Sequence, residues 1–275
     1  MDLVRLYKYS GAGNDFIMAD GRNGKADGCF STERIVALCD RSSGFKAADG
    51  RIGSDGLIVL HESETADFSM DFFNPDGSGG MMCGNGGRCI VAFASFLGIT
   101  PGEGGVYRFE AADGMHTGEI VRNGGDELVV RLGMSDASGF REVLGGYFLN
   151  TGTRHFVLFR EDAGDVDVAA EGPIYRHDPE FAPIGANVNF VSVLDDGSLK
   201  VRTFEKGVEA ETLACGTGIV ASAIAANAAG KSAGTAMDGQ RVRYSIHARI
   251  ADLSVDFIPE SPARDIFLTG PVTVI

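Results

Sequence analysis

The chain has 275 residues, of which 44% are hydrophobic, and a formal net charge of −14. A chain of this length can form one large domain or two ordinary ones, each with a buried core. The negative charge disfavours nucleic acid and anionic membrane surfaces, so we expect neither as a partner.

The N-terminal segment predicts two strands separated by a polar break. Leu3 to Tyr9 alternates apolar and polar side chains as a half-buried strand does, Ser10 to Gly13 interrupts it, and Phe16 to Met18 resumes it. Asn14 and Asp15 lie in this break, where a polar side chain can reach a functional site. Asn14 can equally serve the turn itself, because asparagine tolerates a left-handed backbone.

A surface helix and two strands come next. The helix is predicted from Ser31 to Arg41, with a serine N-cap, an acidic first turn and three inward-facing apolar residues. Gly53 to Gly56 is a turn before the strand Leu57 to Leu60. Asp67 to Asn74 is a further alternating strand that leads through a glycine-rich turn toward the most unusual segment of the chain.

The segment from Met81 to Leu97 predicts a buried helix with a cysteine at its N-terminal end. Cys83 precedes Gly84 to Gly87, so several backbone N–H groups have little side-chain cover and can close around a small anion. The run from Ile90 to Leu97 has no polar face, which indicates a helix surrounded by other structure. Gly98 ends the helix as a C-cap glycine does.

The segment that begins at Ala214 repeats this device. Cys215 precedes Gly216, Thr217 and Gly218, and an apolar run then continues to Gly230. The interval from Cys83 to Cys215 is the same as the interval from Gly98 to Gly230. A matching turn, helix and stop at one offset indicate two copies of one unit.

The strands around the two helices follow a similar order. Tyr147 to Phe159 is strand, glycine turn and strand, as the N-terminal segment is, and Ile184 to Asn187 follows Ile52 to Asp55 at the interval that separates the two cysteines. Further strands are predicted at Val106 to Ala111, His116 to Val121, Glu127 to Leu132, Leu199 to Glu205, Arg241 to Phe257 and Ile266 to Ile275.

These features predict an α/β fold of the α+β type, formed by internal duplication. Each of two pseudo-symmetric domains would be a curved, mainly antiparallel sheet around one central helix. We place the first domain at residues 1–122, with the strand 264–275 returning to it, and the second at residues 123–263. The two cysteine-bearing helix N-termini would then face each other across a pseudo-twofold axis.

The cysteine content indicates the compartment. An odd number, five, without an apolar leader fits a reducing compartment better than a disulfide framework, and no apolar run approaches the roughly 20 residues that cross a bilayer. We therefore expect a cytoplasmic protein.

Two cysteines at helix N-termini predict proton-transfer chemistry. The macrodipole and the N–H groups of a helix N-terminus favour a thiolate. A carbon held between two such sulfurs can lose a proton to one and gain a proton from the other on its opposite face, which inverts the stereocentre. The N–H groups can also hold a substrate carboxylate and stabilise the charge that develops on it. This chemistry requires no metal and no cofactor, and the sequence has no motif for either.

Four segments together resemble the diaminopimelate epimerase family. They read NPDGSGGMMCGNGGRC, ETLACGTG, YSGAGNDF and GANVNFV, and the similarity spans nearly the whole chain. The resemblance implies cofactor-independent interconversion of LL- and meso-diaminopimelate, for lysine and peptidoglycan synthesis. It also implies two α/β domains around central helices, and a homodimer.

The resemblance assigns roles to individual residues. Cys83 and Cys215 would be the acid/base pair. Backbone N–H groups of Gly84, Asn85, Gly216 and Thr217 would hold the reacting carboxylate. The substrate-binding set would also include Asn14, Asn74, Asn187, Glu205 and Lys206, with supporting positions at Gly56, Thr153, Arg154 and His155.

Three positions depart from the family pattern. Lys206 stands where the family usually has arginine, and lysine cannot make a planar bidentate contact with a carboxylate. Arg154 precedes His155 where the family has proline, and Thr153 stands where some members have asparagine. We hypothesise that Arg154 compensates for Lys206 by anchoring the distal carboxylate.

Other interpretations of the same residues remain open. Either cysteine could be an inert core residue, as Cys89 is expected to be. Zinc is disfavoured because Cys83 and Cys89 lack CxxC spacing and His155 does not complete a tetrahedral set. The glycine-rich segments lack the GxGxxG fingerprint of nucleotide binding. Alternative functions are a proline racemase or hydroxyproline epimerase on the same fold, a thiol redox protein, and a non-catalytic amino-acid-binding module.

Overall fold

The computed structural model describes residues 4–80, 83–125 and 127–275. Leu3, Met81 and Met82, which belong to predicted segments, lie outside the described residues. The chain divides into two compact units, the first of Met1–Leu132 with Gly270–Ile275 and the second of Gly133–Thr269. In the described part of the chain, no helix combines the length and the apolar composition that a membrane crossing requires.

Among its described residues the first unit has two α-helices, and all of its strands except the end of the last one precede residue 135. Its helices are α1 (Thr32–Cys39) and α2 (Gly84–Phe96). Its strands are β1 (Leu6–Gly11), β2 (Asn14–Asp20), β3 (Leu57–His61), β4 (Phe68–Phe73), β5 (Val106–Ala111), β6 (Gly114–Asn123) and β7 (Glu127–Met134).

The second unit contains the remaining elements. Its helices are α3 (Val168–Arg176) and α4 (Gly216–Ala228). Its strands are β8 (Ser138–Val143), β9 (Gly146–Asn150), β10 (Arg154–Phe159), β11 (Asn187–Val193), β12 (Leu199–Glu205), β13 (Ala210–Thr212), β14 (Thr235–Ala236), β15 (Val242–His247), β16 (Asp252–Ile258) and the first part of β17 (Arg264–Val274). The last residues of β17 pair with β1 in the first unit.

The strands of the two units pair in the same order and sense. In the first unit β1 and β2 are antiparallel, β2 and β3 parallel, β3 and β4 antiparallel, β4 and β5 parallel, and β5, β6 and β7 antiparallel. In the second unit β9, β10, β11, β12, β15, β16 and β17 repeat this series. The predicted duplication and the mainly antiparallel sheet are confirmed.

Each unit is built around one buried helix. α2 packs against β1, β2, β3 and β6, and α4 packs against β9, β10, β11, β12 and β16. Ile90, Val91 and Phe93 of α2 are completely buried. Burying side chains of this size contributes about 1.5–3 kcal/mol each. The helix that carries each cysteine is therefore held in place by the core of its own unit.

The two helices also end in the same way. Gly98 and Gly230 have positive φ values of 76° and 62°. The N–H of Ile99 donates to the carbonyl of Ala94, and the N–H of Lys231 donates to that of Ala226, which are the bonds of a Schellman motif. Both predicted helix ends are confirmed. Complete burial of α2 was wrong for its last turn, because Phe96 is 58% exposed.

The N-terminal hairpin differs from the prediction in a way that matters for the site. Asn14 and Asp15 do not lie in a break, since they begin β2, and Asn14 pairs with Gly11. The turn is only Ala12 and Gly13, both with positive φ, as in a two-residue hairpin of type I′. Lys8 does not face solvent as the alternation predicted, because it is buried.

Candidate functional site

Cys83 is the N-cap residue of α2, with extended backbone angles of φ −105° and ψ 150°. The Gly86 N–H donates to Cys83 Sγ over 3.2 Å. A Cβ at position 86 would lie 3.3 Å from this sulfur and 3.2 Å from Ile58 Cδ1. Glycine at this position therefore avoids a tight contact with the sulfur. Because N–H donors and the helix dipole stabilise a thiolate, the sulfur lies where negative charge is favoured.

A pair of asparagines lies beside this helix N-terminus. Asn85 Nδ2 donates to Asn14 Oδ1 over 2.6 Å, and Asn14 Nδ2 donates to Asp55 Oδ2 over 2.9 Å. At the other end, Arg88 Nη2 donates to Asn85 Oδ1 over 2.8 Å. A guanidinium can only donate and a carboxylate can only accept. Arg88 and Asp55, at the two ends of this series of hydrogen bonds, therefore fix the orientation of both amide groups.

Charged side chains, of which Lys8 and Asp15 are buried, hold this network in place. Lys8 Nζ and Arg41 Nη2 each lie 2.6 Å from a carboxylate oxygen of Asp15, and Arg41 also pairs with Asp55. Burial alone would raise the pKa of Asp15, but the hydrogen bonds from Arg41 and Lys8 outweigh it and lower that pKa. Asp15 is therefore an anion at neutral pH, and it ties β1 and β2 to Arg41.

Arg88 is a buried cation within α2. Its side chain is completely buried, Nη1 donates to the Gly84 carbonyl over 3.1 Å, and Nε has no hydrogen-bond partner among the described residues. Burial lowers the pKa of Arg88 to about 10, while attraction to the Cys89 and Cys83 sulfurs acts in the opposite direction. Arg88 thus stays charged at neutral pH and makes the N-terminus of α2 more favourable for an anion. We call Cys83, Asn14, Asn85, Asp55 and Arg88 the Cys83 cluster.

Cys215 is the N-cap residue of α4 and is 7% exposed. The Ile219 N–H donates to its carbonyl over 2.9 Å, as the Gly87 N–H does to that of Cys83 over 2.8 Å. Cys215 Sγ lies 3.6 Å from Thr217 Oγ1. The two helices thus begin alike, but a hydroxyl accompanies the second sulfur.

A buried histidine lies behind this hydroxyl. His155 Nε2 is 2.9 Å from Thr217 Oγ1, and His155 Nδ1 is 3.1 Å from Asn189 Nδ2. Burial, and to a smaller extent the positive charge of Lys206, lower the pKa of His155 to about 3. His155 is therefore neutral at physiological pH. We call Cys215, Thr217, His155, Asn189 and Thr203, which bonds to Asn189, the Cys215 cluster.

Asn187 joins the ends of three strands in the second unit. It lies opposite His155 in the parallel pair of β10 and β11. Its Oδ1 accepts from the Lys206 N–H over 2.8 Å, and its Nδ2 donates to the Arg154 carbonyl over 3.0 Å. Arg154 Nη1 donates to the Phe181 carbonyl over 3.3 Å. Asn187 therefore fixes the backbone from which both predicted cationic anchors project.

The remaining predicted positions serve local structure through the contacts that the structure describes. Asn74 lies in the turn before Cys83, where Nδ2 donates to Ser78 Oγ over 3.1 Å. The Gly56 carbonyl accepts from the Ile17 N–H over 3.0 Å. The Thr153 carbonyl accepts from the Thr151 N–H over 3.1 Å. Half-buried Glu205 is the last residue of β12.

Sequence analysis did not single out several members of these networks. It assigned Asp55 only to a turn, and it gave no role to Asn189 or Thr203. Arg88 gave a usable signal, since it is the one charged residue between Cys83 and Leu97 in an otherwise apolar segment. Cys89 is buried as predicted. Among the described residues, no three His, Cys, Asp or Glu side chains are grouped as metal ligands would be.

Comparison with known proteins identifies the family that shares this sequence. The sequence model of one family, described as "Diaminopimelate epimerase", matches residues 6–137 and 147–273. A diaminopimelate epimerase of Chlorobaculum tepidum is 45% identical over 81% of this chain and 83% of its own length. That of Flavobacterium psychrophilum is 38% identical over 99% of this chain and 98% of its own.

The fold is also shared with a more distant protein. The crystal structure of a Bacillus anthracis phenazine biosynthesis protein of the PhzF family matches with a TM-score of 0.72 at 14% identity. The match covers 100% of this chain and 98% of that one. At this identity the similarity concerns the fold alone.

Proposed function

Since the chain belongs to the diaminopimelate epimerase family, we infer that it interconverts LL- and meso-2,6-diaminopimelate, a step in lysine biosynthesis. One observation links this function to individual residues. Each unit has a cysteine at the N-cap of its central helix. We propose that Cys83 and Cys215 are the two catalytic bases.

The proposed reaction is a proton exchange at one α-carbon. One cysteine, as thiolate, takes the α-proton and becomes a thiol, and the electron pair of the C–H bond moves toward the substrate carboxylate. The other cysteine, as thiol, gives its proton to the opposite face of the carbon and becomes a thiolate. No atom is lost, the configuration is inverted, and the two cysteines have exchanged protonation states.

The activation barrier of this reaction arises mainly from the negative charge that develops on the carboxylate when the α-proton is removed. The first N–H groups of an α-helix have no acceptor within the helix. Gly84 and Asn85 occupy these positions in α2, and Gly216 and Thr217 occupy them in α4. We assign these four backbone N–H groups to the reacting carboxylate, where each fixed donor can lower the barrier by about 2.7–4 kcal/mol.

The remaining polar side chains are assigned to the distal amino acid group of the substrate. Asn14, Asn74, Asn187 and Glu205 supply amide and carboxylate groups for its ammonium and carboxylate. Lys206 and Arg154 supply positive charge for the distal carboxylate. The partial exposure of both cationic side chains supports this assignment, because each can reach a ligand while its backbone is held by Asn187.

Three broader features belong to the same proposal. We assign the reaction to the protein alone, without a cofactor, because two thiols and fixed N–H donors supply both proton transfers and the charge stabilisation. The active form is proposed to be a homodimer. Its compartment is proposed to be the cytoplasm, which keeps the five cysteines reduced.

Exchange of the α-hydrogen with solvent deuterium tests the mechanism. Wild-type protein in D₂O should place deuterium at the α-carbon of the product from either isomer. Cys83→Ala and Cys215→Ala should each lose epimerisation, whereas Cys39→Ala, a change at a cysteine in the α1 core, should retain it. Full turnover by either catalytic variant would contradict the two-base assignment.

The same assay separates the alternative functions. A proline racemase or hydroxyproline epimerase would exchange the α-hydrogen of its own substrate and not that of diaminopimelate. An amino-acid-binding module would exchange neither under saturating ligand. A redox dithiol would stay active through oxidation and reduction cycles, whereas this epimerase should lose activity when its thiols are oxidised or alkylated.

A further inference from the structure

A chain of buried hydrogen bonds in the Cys215 cluster goes beyond what proton transfer by two cysteines requires. Thr203 Oγ1 donates to Asn189 Oδ1 over 3.0 Å. Asn189 Nδ2 and His155 Nδ1 are 3.1 Å apart, and His155 Nε2 and Thr217 Oγ1 are 2.9 Å apart. Thr203 is 3% exposed, and Asn189 and His155 are completely buried. The chain ends beside Cys215 Sγ, 3.6 Å from the Thr217 hydroxyl.

The direction of the first bonds follows from chemistry. Asn189 Nδ2 also lies 3.3 Å from the Phe156 carbonyl oxygen, which can only accept. The NH₂ group of Asn189 must therefore face Phe156 and His155, and its oxygen must face Thr203. His155 Nδ1 is then the acceptor of this bond and carries no proton. Since the buried ring is neutral, its single proton lies on Nε2.

The tautomer decides where the Thr217 hydroxyl hydrogen goes. When His155 Nε2–H donates to Thr217 Oγ1, the hydroxyl keeps its own hydrogen for another acceptor, and Cys215 Sγ lies next to it. In the opposite tautomer, Nε2 would take that hydrogen and leave only an oxygen lone pair toward the sulfur. A hydroxyl hydrogen favours a thiolate, and a lone pair opposes one.

We propose that Asn189 is a positioning residue, which holds His155 in the Nε2–H tautomer so that the Thr217 hydroxyl donates to the Cys215 thiolate. The inference rests on the proposed role of Cys215 as a catalytic base. Asn189 does not touch the reacting atoms and acts through His155 and Thr217.

The backbone next to these hydrogen bonds leaves room for the side chains that form them. A Cβ at Gly218 would collide with Asn189 Oδ1 and would lie 3.3 Å from His155 Cε1. Thr151 Oγ1 donates to the Thr217 carbonyl over 2.9 Å, which ties the first turn of α4 to the loop before β10. The helix start, the histidine and the asparagine are therefore fixed relative to one another within the second unit.

Nitrogen NMR of the histidine rings tests the tautomer directly. In protein labelled with ¹⁵N-histidine, the His155 resonances are assigned by their loss in His155→Gln. The expected wild-type spectrum shows Nδ1 unprotonated and Nε2 protonated at the pH of the activity assay. A protonated Nδ1 in the wild-type protein would overturn the proposal without any variant.

Asn189→Asp replaces the NH₂ donor that faces His155 Nδ1 with a carboxylate oxygen, which is an acceptor, and keeps the shape of the side chain. A carboxylate accepts, so Nδ1 should acquire a proton and kcat/KM should fall about tenfold or more, since a hydrogen bond to a charged sulfur is affected. Thr203→Val is the matched control. It removes a buried bond of Asn189 but leaves the NH₂ group facing Phe156 and His155, so Nδ1 should stay unprotonated.

A double-variant cycle separates positioning from general destabilisation. If Asn189 acts through the hydroxyl, Asn189→Asp should cause no further loss of kcat/KM in a Thr217→Val background. Equal losses in both backgrounds, or an Asp variant with Nδ1 unprotonated, would overturn the proposal. Failure of the proposed function would appear differently, as epimerisation by Cys215→Ala, and would leave the wild-type spectrum unchanged.

Discussion

Replacing Arg88 by methionine tests whether a buried cation orients the Cys83 cluster. The guanidinium donates to Asn85 Oδ1 over 2.8 Å and to the Gly84 carbonyl over 3.1 Å, and the side chain is completely buried. Methionine is also long and flexible, so it can fill the space without donating. The substitution therefore removes two hydrogen bonds and one positive charge and keeps most of the packing.

The expected effects on stability and on activity differ in size. Losing two hydrogen bonds from a charged donor costs about 1.5–3 kcal/mol each, but removing a buried cation recovers several kcal/mol of desolvation. The free energy of unfolding should therefore change by less than about 2 kcal/mol. Activity has no such compensation. Loss of a charged hydrogen bond that orients Asn85 and Asn14 should lower kcat/KM about 10- to 150-fold.

The assay is kcat/KM in both directions, with urea unfolding as the measure of stability. Arg88→Lys keeps the charge but not the forked pair of donors, so it should lie between wild type and Arg88→Met. Because the equilibrium constant of the reaction is fixed, kcat/KM must fall by the same factor in both directions. A stable Arg88→Met protein with wild-type kcat/KM would refute the role of this cation in orienting the cluster.

Three further predictions concern the second unit. Arg154→Ala should raise KM for diaminopimelate about tenfold with little change in kcat, and an unchanged KM would show that Arg154 is not the distal anchor. Burial lowers the pKa of His155 from 6.5 to about 3, so the stability it contributes is present above pH 6.5 and lost as the pH falls toward 3. The loss should reach about 1.4 kcal/mol per pH unit in urea unfolding, and His155→Gln should show a shallower slope. Gly218→Ala should lower stability by about 1–3 kcal/mol and reduce activity because its Cβ meets Asn189, whereas Gly79→Ala, with nothing within 4 Å of its Cβ, should do neither.

The features that the sequence predicted well are those set by neighbouring residues. A helix end depends on one glycine and the few residues before it, and Gly98 and Gly230 were identified on that basis. The N-cap of α1 is similar, since Ser31 accepts from the Arg34 N–H three residues later. The duplication was visible because both copies keep the same local signals at the same spacing.

The features that sequence analysis missed depend on which strands are neighbours in the sheet. Asp55 meets Asn14 because β2 and β3 are parallel neighbours in a register that no local pattern records. Asn189 reaches His155 through the pairing of β10 with β11. Lys8 reads as the outward residue of an alternating strand, yet it is buried because Asp15 supplies its partner.

The same distinction explains how the two repeats differ. Both thiols need a helix N-terminus, and both repeats keep the glycines that form one. Beyond that turn the repeats diverge: Val220 follows Cys215 in α4 at the distance at which Arg88 follows Cys83 in α2. A cation within the helix favours an anion at Cys83, whereas a neutral hydroxyl and imidazole accompany Cys215. In the proposed mechanism the cysteines exchange protonation states in every turnover. Their unequal surroundings would then make the two resting forms of the enzyme unequal in free energy, although the chemistry assigned to each thiol is the same.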